Sequence, residues 1–163
     1  KRILIFLGGA DHQNITEKAV KAFLMLERPD IVADVVVGKA NPHKERIKAL
    51  CDKHPNLNYH CQVENMAELM LKADLAIGAG GMAAWERCYL KLPTIAVSVA
   101  ENQEETAKYL KKLGYIRYLG NAEDINKEKL FKEIEEVVNN YSFVNFPDVI
   151  NTSIKKIIEL ALM

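Results

Sequence analysis

The chain has 163 residues, a length typical of one domain. Its 22 basic and 22 acidic residues give zero formal net charge, which argues against a surface for nucleic acid or another polyanion. No apolar run approaches the ~20 residues needed to cross a bilayer, and no signal peptide is visible. The three cysteines, Cys51, Cys61 and Cys88, form no CxxC pair and predict reduced, mostly buried side chains of a cytosolic protein.

Strands and helices alternate in the first half of the chain. A continuous apolar run at residues 2–7 predicts a strand buried on both faces of a parallel sheet. Helical spacing of apolar residues predicts a helix from about residue 15 to 27, which Pro29 ends. The next predicted elements are a strand at 32–37 ended by Gly38, a helix with Asn41 as cap and Pro42 in its first turn, a strand at 57–61, and a helix at 66–72 with Asn65 and Glu68 as a capping box.

The second half continues the same pattern. The predicted elements are a strand at 74–77, a helix at 82–91, a strand at 94–99, a helix at 101–113 closed by Gly114, a strand at 115–119, a helix capped by Asn126, and a last helix capped by Asp148. Six strands alternating with helices predict one Rossmann-like α/β domain: an open, mostly parallel sheet with helices on both faces. Because the crossovers are right-handed, the loops at 8–14, 78–82 and 100–103 should meet on one edge of the sheet.

The glycine-rich run at 78–81 lies between a predicted strand and a predicted helix. Such a turn presents unpaired N–H groups and the positive end of a helix dipole, an arrangement that suits phosphate. Glu86, one to two turns into the helix, can accept hydrogen bonds from ribose hydroxyls. The alternative is a plain tight turn beside a solvated carboxylate, since the run matches neither GxGxxG nor a Walker A motif.

The histidines provide no clear catalytic or metal site. His12 lies in the first glycine loop, but nothing supplies it with a partner carboxylate, so a solvated side chain is the simpler interpretation. His43, His54 and His60 have no metal-ligand spacing with the cysteines. The sequence therefore predicts no metal, no cofactor and no catalytic residue.

Several segments together resemble a known family. They are Gly-Gly-Ala-Asp-His-Gln-Asn at 8–14, Glu-Asn-Met-Ala-Glu-Leu-Met at 64–70, Gly-Ala-Gly-Gly-Met-Ala-Ala-Trp-Glu-Arg-Cys-Tyr-Leu at 78–90, Leu-Pro-Thr at 92–94 and Ala-Glu-Asn-Gln at 100–103. In order and spacing they resemble the C-terminal half of the UDP-2,4-diacetamido-2,4,6-trideoxy-β-L-altropyranose hydrolases of the pseudaminic-acid pathway, also described as SpsG-like proteins. That family is similar in turn to the MurG-type glycosyltransferases of the GT-B fold.

The resemblance implies a UDP site in this domain. It would place the diphosphate at Gly80, Gly81 and Met82, and the ribose at Glu86. Backbone of the segment Val63, Glu64, Asn65 and Met66 would meet the uracil. The phosphate and sugar side would be lined by Gly8, Gly9, Asp11, Asn102 and Gln103.

The resemblance also implies what this chain lacks. In the family, the histidine that activates water belongs to an N-terminal domain, and this chain, which opens at Lys1, begins where the second domain begins. We therefore expect a cytoplasmic UDP-binding domain whose partners are UDP or a UDP-sugar and the absent N-terminal domain. The alternatives are the donor-binding half of a MurG-like UDP-GlcNAc glycosyltransferase and a non-catalytic α/β module.

Overall fold

The computed structural model describes residues 1–139, with Met82 described by its backbone alone. The strands are β1 Arg2–Phe6, β2 Val32–Val37, β3 Leu57–Cys61, β4 Leu75–Ala79, β5 Thr94–Ser98 and β6 Arg117–Asn121. The helices are α1 Ile15–Leu24, α2 Lys44–Asp52, α3 Met66–Lys72, α4 Met82–Tyr89, α5 Glu101–Lys112 and α6 Lys127–Asn139. The predicted last helix, with Asp148 as its cap, lies outside the described residues.

The six strands form one parallel sheet in the order β3-β2-β1-β4-β5-β6. The chain builds outward from β1 to β3 and then returns to place β4 on the other side of β1. This order confirms the predicted Rossmann-like fold class. It also puts a topological switch point between β1 and β4, where open α/β sheets bind their ligands.

Helices cover both faces of the sheet, and the alternation of side chains along the strands decides which face each residue joins. On one face α1, α2 and α6 pack against a large apolar cluster that includes Ile5, Ile77 and Ile95. On the opposite face α3, α4 and α5 pack against two smaller clusters around Ala76 and Ala96. The central strands β1, β4 and β5 are apolar and buried on both faces, as predicted for a parallel sheet, whereas the outer strands β3 and β6 are partly exposed.

Several helix boundaries differ by one to three residues from the sequence prediction, and two of these differences have a clear local cause. Helix α1 ends at Leu24, because Glu27 adopts a left-handed φ of 52° and turns the chain before Pro29 is reached. Helix α2 begins at Lys44, so the prediction of Asn41 as its cap was wrong. The Asn41 side chain instead accepts a 2.8 Å hydrogen bond from the His43 N–H and forms a separate turn ahead of the helix.

The other predicted caps had mixed outcomes. Asn126 accepts a 2.8 Å hydrogen bond from the Lys129 N–H, as predicted. Gly114, with φ of 81°, ends α5, and the Tyr115 N–H bonds back to the Leu110 carbonyl. That bond keeps Tyr115 in the cap, which is why β6 begins at Arg117 rather than at 115. The capping box was wrong, because the Asn65 side chain makes no cap hydrogen bond to the helix backbone.

Two of the three cysteines are buried. Cys51 and Cys88 lie in the apolar clusters, whereas Cys61 at the end of β3 is exposed. All three are free thiols. Burial raises the pKa of both Cys51 and Cys88 to about 11, so neither is a reactive thiolate near neutral pH.

Asp34 on β2 is a buried carboxylate. It lies in a polar patch of the sheet, next to β3. Arg2 donates to it at 2.7 Å, Asn58 at 3.3 Å, and the His60 ring contacts it at 3.2 Å. Only 2% of Asp34 is exposed. Burial alone would raise its pKa, but the hydrogen bonds from Arg2, His60 and Asn58 outweigh burial and hold the pKa below its ordinary value.

This lowered pKa predicts a pH dependence of stability. The folded protein favours ionised Asp34, so its contribution is fully present above the ordinary pKa of 3.8 and is lost as the pH falls through the lower folded value. The difference in free energy of unfolding between wild type and Asp34→Asn should therefore be constant near neutral pH and shrink below about pH 4. Urea denaturation from pH 7 to pH 2.5 measures it. Asp52→Asn, at an exposed carboxylate, is the control, and a difference that stayed constant at pH 2.5 would contradict the prediction.

Candidate functional site

The carboxyl ends of β1, β4 and β5 lie side by side in the sheet, because these strands are neighbours and all run the same way. The glycine loop that follows β1, the glycine turn between β4 and α4, and the β5–α5 connection therefore share one edge. We call this the glycine edge. It contains the switch point and is the place where the fold predicts a ligand.

The turn between β4 and α4 is shorter than the sequence predicts. Strand β4 continues through Ala79, and Gly78 pairs with Phe6 on β1 and Ala96 on β5. The turn proper is Gly80 and Gly81, and α4 begins at Met82. Gly78 was thus wrongly assigned to the turn by the sequence pattern; it is a strand residue.

Some backbone N–H groups of this turn are bonded within the protein and others are not. The Gly80 N–H donates to the Val97 carbonyl at 3.0 Å, and the Ala84 N–H donates to the Gly81 carbonyl at 2.9 Å. Between them, the N–H groups of Gly81 and Ala83 make no hydrogen bond to another described residue. These donors at the positive end of α4 form the kind of site that binds an anion.

Helix α5 closes one side of the turn. A Cβ atom on Gly80 would lie 2.8 Å from the Cβ of Ala107, so the turn and α5 are in direct contact. The Oε1 atom of Gln103 accepts a 3.0 Å hydrogen bond from the Val99 N–H. This bond turns the amide nitrogen of Gln103 toward Gly81, and a Cβ built there would lie 3.5 Å from it. Asn102, the preceding residue, is exposed on the first turn of α5.

The loop after β1 supplies the other side of the edge. Gly9 is exposed, and a Cβ built on it would meet nothing within 4 Å. Gly8 has a φ of 95° and is likewise open on that side. Open space over these two glycines is compatible with their predicted role, which stays a prediction.

Asp11 is buried rather than presented to the edge. Its carboxylate accepts hydrogen bonds from the Ile15 N–H at 3.0 Å, the Thr16 N–H at 2.7 Å and the Thr16 hydroxyl at 2.6 Å. The carboxylate therefore caps the start of α1, together with Asn14 at the N-cap position. A direct contact between Asp11 and a ligand remains a prediction.

Glu86 lies just over one turn into α4 and is partly exposed. Its carboxylate makes no hydrogen bond or salt bridge to another described residue. A carboxylate that holds no protein partner retains its acceptor capacity for a ligand.

The segment predicted for the uracil follows β3, and two strands, β2 and β1, lie between β3 and β4. Val63 and Met66 pack against the apolar cluster beneath α3, next to Phe6 and Leu90. Glu64 and Asn65 are exposed. The segment thus borders the same helical face as α4, and its contact with a base remains a prediction.

A cleft of about 310 Å³ opens on the glycine edge beside β5. Gln13, Ala100 and Asn121 contribute to its walls, as do the carboxylates of Glu101, Glu104 and Glu123. Because acidic side chains repel phosphate but accept hydrogen bonds from hydroxyls, this side of the edge suits the neutral, hydroxyl-rich part of a ligand.

The sequence reasoning missed Arg87. Only 2% of this residue is exposed, and its Nη2 donates to the Ala79 carbonyl at 2.5 Å. Burial lowers the pKa of Arg87 to about 10, so the guanidinium keeps its charge at neutral pH. The sequence contained a signal, because Gly78, nine residues earlier, leaves room for a large side chain. That Arg87 fills this room, however, depends on the tertiary fold.

The family of the chain follows from its sequence as a whole. The model of the glycosyltransferase family 28 C-terminal domain matches residues 2–160. The chain belongs to this family. The glycine edge is therefore the edge of a glycosyltransferase family 28 C-terminal domain.

Two curated relatives are similar to this family 28 domain. The spore coat polysaccharide biosynthesis protein SpsG of Bacillus subtilis is 31% identical over 148 residues, which is 86% of this chain and 42% of SpsG. The UDP-2,4-diacetamido-2,4,6-trideoxy-beta-L-altropyranose hydrolase of Campylobacter jejuni is 27% identical over 111 residues, which is 68% of this chain and 39% of that protein. The chain thus spans about two fifths of the length of these relatives.

The fold is also similar to that of a solved enzyme. MurG of Acinetobacter baumannii matches with a TM-score of 0.71 and 19% identity, over 98% of this chain and 48% of MurG. This likeness, together with the family match, confirms the resemblance that the sequence motifs carried.

Residues 1–139 contain neither a metal-binding cluster nor a membrane-spanning helix. No cluster of three or more His, Cys, Asp or Glu side chains is arranged to hold a metal ion there. None of the helices in that range combines the length and the apolar character needed to span a membrane.

Proposed function

We propose that this domain binds UDP and forms the nucleotide-binding half of a UDP-sugar hydrolase. In the intact enzyme, water would displace UDP from the anomeric carbon of a 2,4-diacetamido-trideoxyhexose. The observation that carries the proposal is the turn of Gly80 and Gly81, where free N–H groups, the α4 dipole and the Gln103 amide converge. Glu86 stands just over one turn further along the same helix.

The roles follow from the chemistry of each group. Fixed N–H donors at the start of α4 would hold the diphosphate and stabilise its charge as it leaves. Glu86 would accept hydrogen bonds from the ribose hydroxyls, for which a carboxylate is suited and a phosphate site is not. The acidic cleft beside β5 would face the sugar. Activation of water would fall to the N-terminal domain that we propose as the partner of this one.

The hydrolase assignment draws on the two curated relatives, one of which is named as a UDP-sugar hydrolase and the other as a polysaccharide biosynthesis protein. The family name and the likeness to MurG favour a second candidate, the donor-binding half of a UDP-sugar glycosyltransferase. Product analysis of the intact protein separates the two. Free sugar and UDP in equal amounts support the hydrolase, whereas UDP release that requires an acceptor, with the sugar bonded to that acceptor, supports the transferase. A cytoplasmic location is part of the proposal, in keeping with the three free thiols.

Replacing Glu86 with glutamine should weaken UDP binding by about 1–3 kcal/mol, because the amide has one neutral acceptor oxygen where the carboxylate offers two charged ones to the ribose hydroxyls. Isothermal titration calorimetry with UDP measures this change in affinity, and titration with ADP is the control for base selectivity. Glu135→Gln, at an exposed carboxylate on α6, is the matched control and should bind like wild type.

The outcomes are distinct. Selective binding of UDP that Glu86→Gln weakens supports the nucleotide site. An equal loss of UDP affinity in Glu86→Gln and Glu135→Gln would show that Glu86 is not part of the nucleotide site. Failure of wild type to bind UDP would overturn the proposal and favour the third alternative, an α/β module without a nucleotide.

A further inference from the structure

The guanidinium of Arg87 lies between α4 and the sheet, directly beneath the turn of Gly80 and Gly81. Side chains on a helix lean toward its N-terminus, so Arg87 reaches back along α4 to the carboxyl end of β4. There it occupies the space that a side chain at Gly78 would take. A Cβ on Gly78 would lie 2.5 Å from Nη1 and 2.6 Å from Cζ of Arg87.

No carboxylate among the described residues forms an ion pair with this buried charge, and Glu86 offsets its burial only in small part, through space. In the part of the chain that the structure describes, no ion pair involves Arg87, and its Nε is buried without a hydrogen-bond partner. Burying a cation without a counter-charge costs free energy of folding. Proteins usually pair such a cation with a carboxylate or have an apolar side chain in its place. A methionine of similar length would bury an apolar side chain over Gly78 without burying a charge. Packing alone therefore does not explain why a charged side chain occupies this position.

Arg87 also fixes the peptide that leads into the turn. Its Nη2 donates to the Ala79 carbonyl, while the N–H of the same peptide, on Gly80, donates to the Val97 carbonyl. The Ala79–Gly80 peptide is thus held at both ends. The N–H groups of Gly81 and Ala83, which follow this peptide, have no hydrogen-bond partner among the described residues.

We propose that Arg87 is a positioning residue that makes this turn selective for the diphosphate of a nucleotide. The bound diphosphate is the missing counter-charge: it lies above the turn, and the guanidinium lies below it. This inference rests on the proposed function, because it assumes that the nucleotide enters at the glycine edge. It adds a long-range electrostatic contribution and a fixed donor geometry that the helix terminus alone does not supply.

A purely structural role for Arg87 makes a different prediction. If Arg87 only braces α4, its loss would disturb the whole site and weaken every ligand alike. If it acts on the diphosphate, its loss would weaken UDP and leave uridine, which has no phosphate, unaffected. The ratio of the UDP and uridine affinities therefore separates the two roles.

The test is a titration of ¹⁵N-labelled chain with UDP, uridine and inorganic pyrophosphate, followed by amide correlation spectra that also report folding. Arg87→Met should weaken UDP binding more than tenfold, since a unit charge within about 10 Å of a dianion contributes at least that much at an effective dielectric constant of about 20. Uridine affinity should change less than about twofold, because no charge is involved. Arg87→Lys should restore part of the UDP affinity, and Lys132→Met, at an exposed cation on α6, controls for net charge.

Gly78→Ala is the second variant, in case Arg87→Met does not fold. It keeps the arginine but displaces the guanidinium, and it should reduce UDP affinity without reducing uridine affinity. Equal weakening of UDP and uridine, or unchanged UDP binding in Arg87→Met, would overturn the inference.

The wild-type titrations keep this inference separate from the proposed function. Wild type that binds pyrophosphate but not UDP, with pyrophosphate lost in Arg87→Met, would overturn the UDP function and support the anion role of Arg87. Wild type that binds none of the three ligands would overturn both.

Discussion

Replacing Gly38 with alanine is expected to lower the free energy of unfolding by about 2–4 kcal/mol, because overpacking against rigid backbone costs at least as much as overpacking in a core. Gly38 follows β2, and the loop after β1 crosses directly over it. A Cβ on Gly38 would lie 2.7 Å from the Cα of Gly9 and 2.9 Å from its carbonyl carbon. Backbone atoms cannot rotate away as a side chain can, so the whole β1–α1 loop would have to move.

Gly9→Ala is the matched control, because it adds the same methyl group on the other side of the contact. Nothing lies within 4 Å of a Cβ on Gly9, so this variant should be nearly as stable as wild type. Urea denaturation of the two variants gives the comparison. Similar midpoints for Gly38→Ala and wild type would show that the two loops do not touch as described.

Most of the fold was predictable from the sequence because its signals are local. The apolar runs at the strands and the helical spacing between them follow from periods that need no knowledge of the tertiary structure. The caps at Asn126 and Gly114 were predictable for the same reason. Once six strands alternate with helices, right-handed crossovers leave few topologies, and the glycine loops must share an edge.

The features that escaped prediction depend on contacts between elements or on competing local bonds. Gly78 reads as part of a glycine-rich turn, and only the pairing with β1 and β5 shows it to be a strand residue. The burial of Arg87 depends in turn on that position. Gly38 reads as the end of a strand, whereas its essential neighbour is Gly9, far along the chain. The sequence wrongly predicted Asn41 as the cap of α2, because its side chain accepts a hydrogen bond from the His43 N–H in a turn outside the helix.

Asp11 is expected to be the strongest single side-chain contribution to the start of α1, and Asp11→Gly should cost about 3 kcal/mol. Three hydrogen bonds to a buried carboxylate are lost, each stronger than a bond between neutral groups, and two helix N–H groups are left without a partner. Glycine is the substitution of choice because Asp11 has a φ of 44°, which glycine adopts without strain. The measurement is the free energy of unfolding from urea denaturation.

Asn14→Gly is the control at the neighbouring capping position, since Asn14 has a similar φ of 55° and removal of its side chain introduces no backbone strain either. Its only bond to a helix N–H is long, at 3.4 Å to Glu17, so this variant should cost about 1 kcal/mol or less. Equal losses in the two variants would mean that the carboxylate of Asp11 is not committed to the helix. Asp11 would then be free to contact a ligand, and UDP affinity would fall in Asp11→Gly. A large loss of stability in Asp11→Gly with UDP affinity retained would assign Asp11 to the scaffold that holds the glycine edge in place.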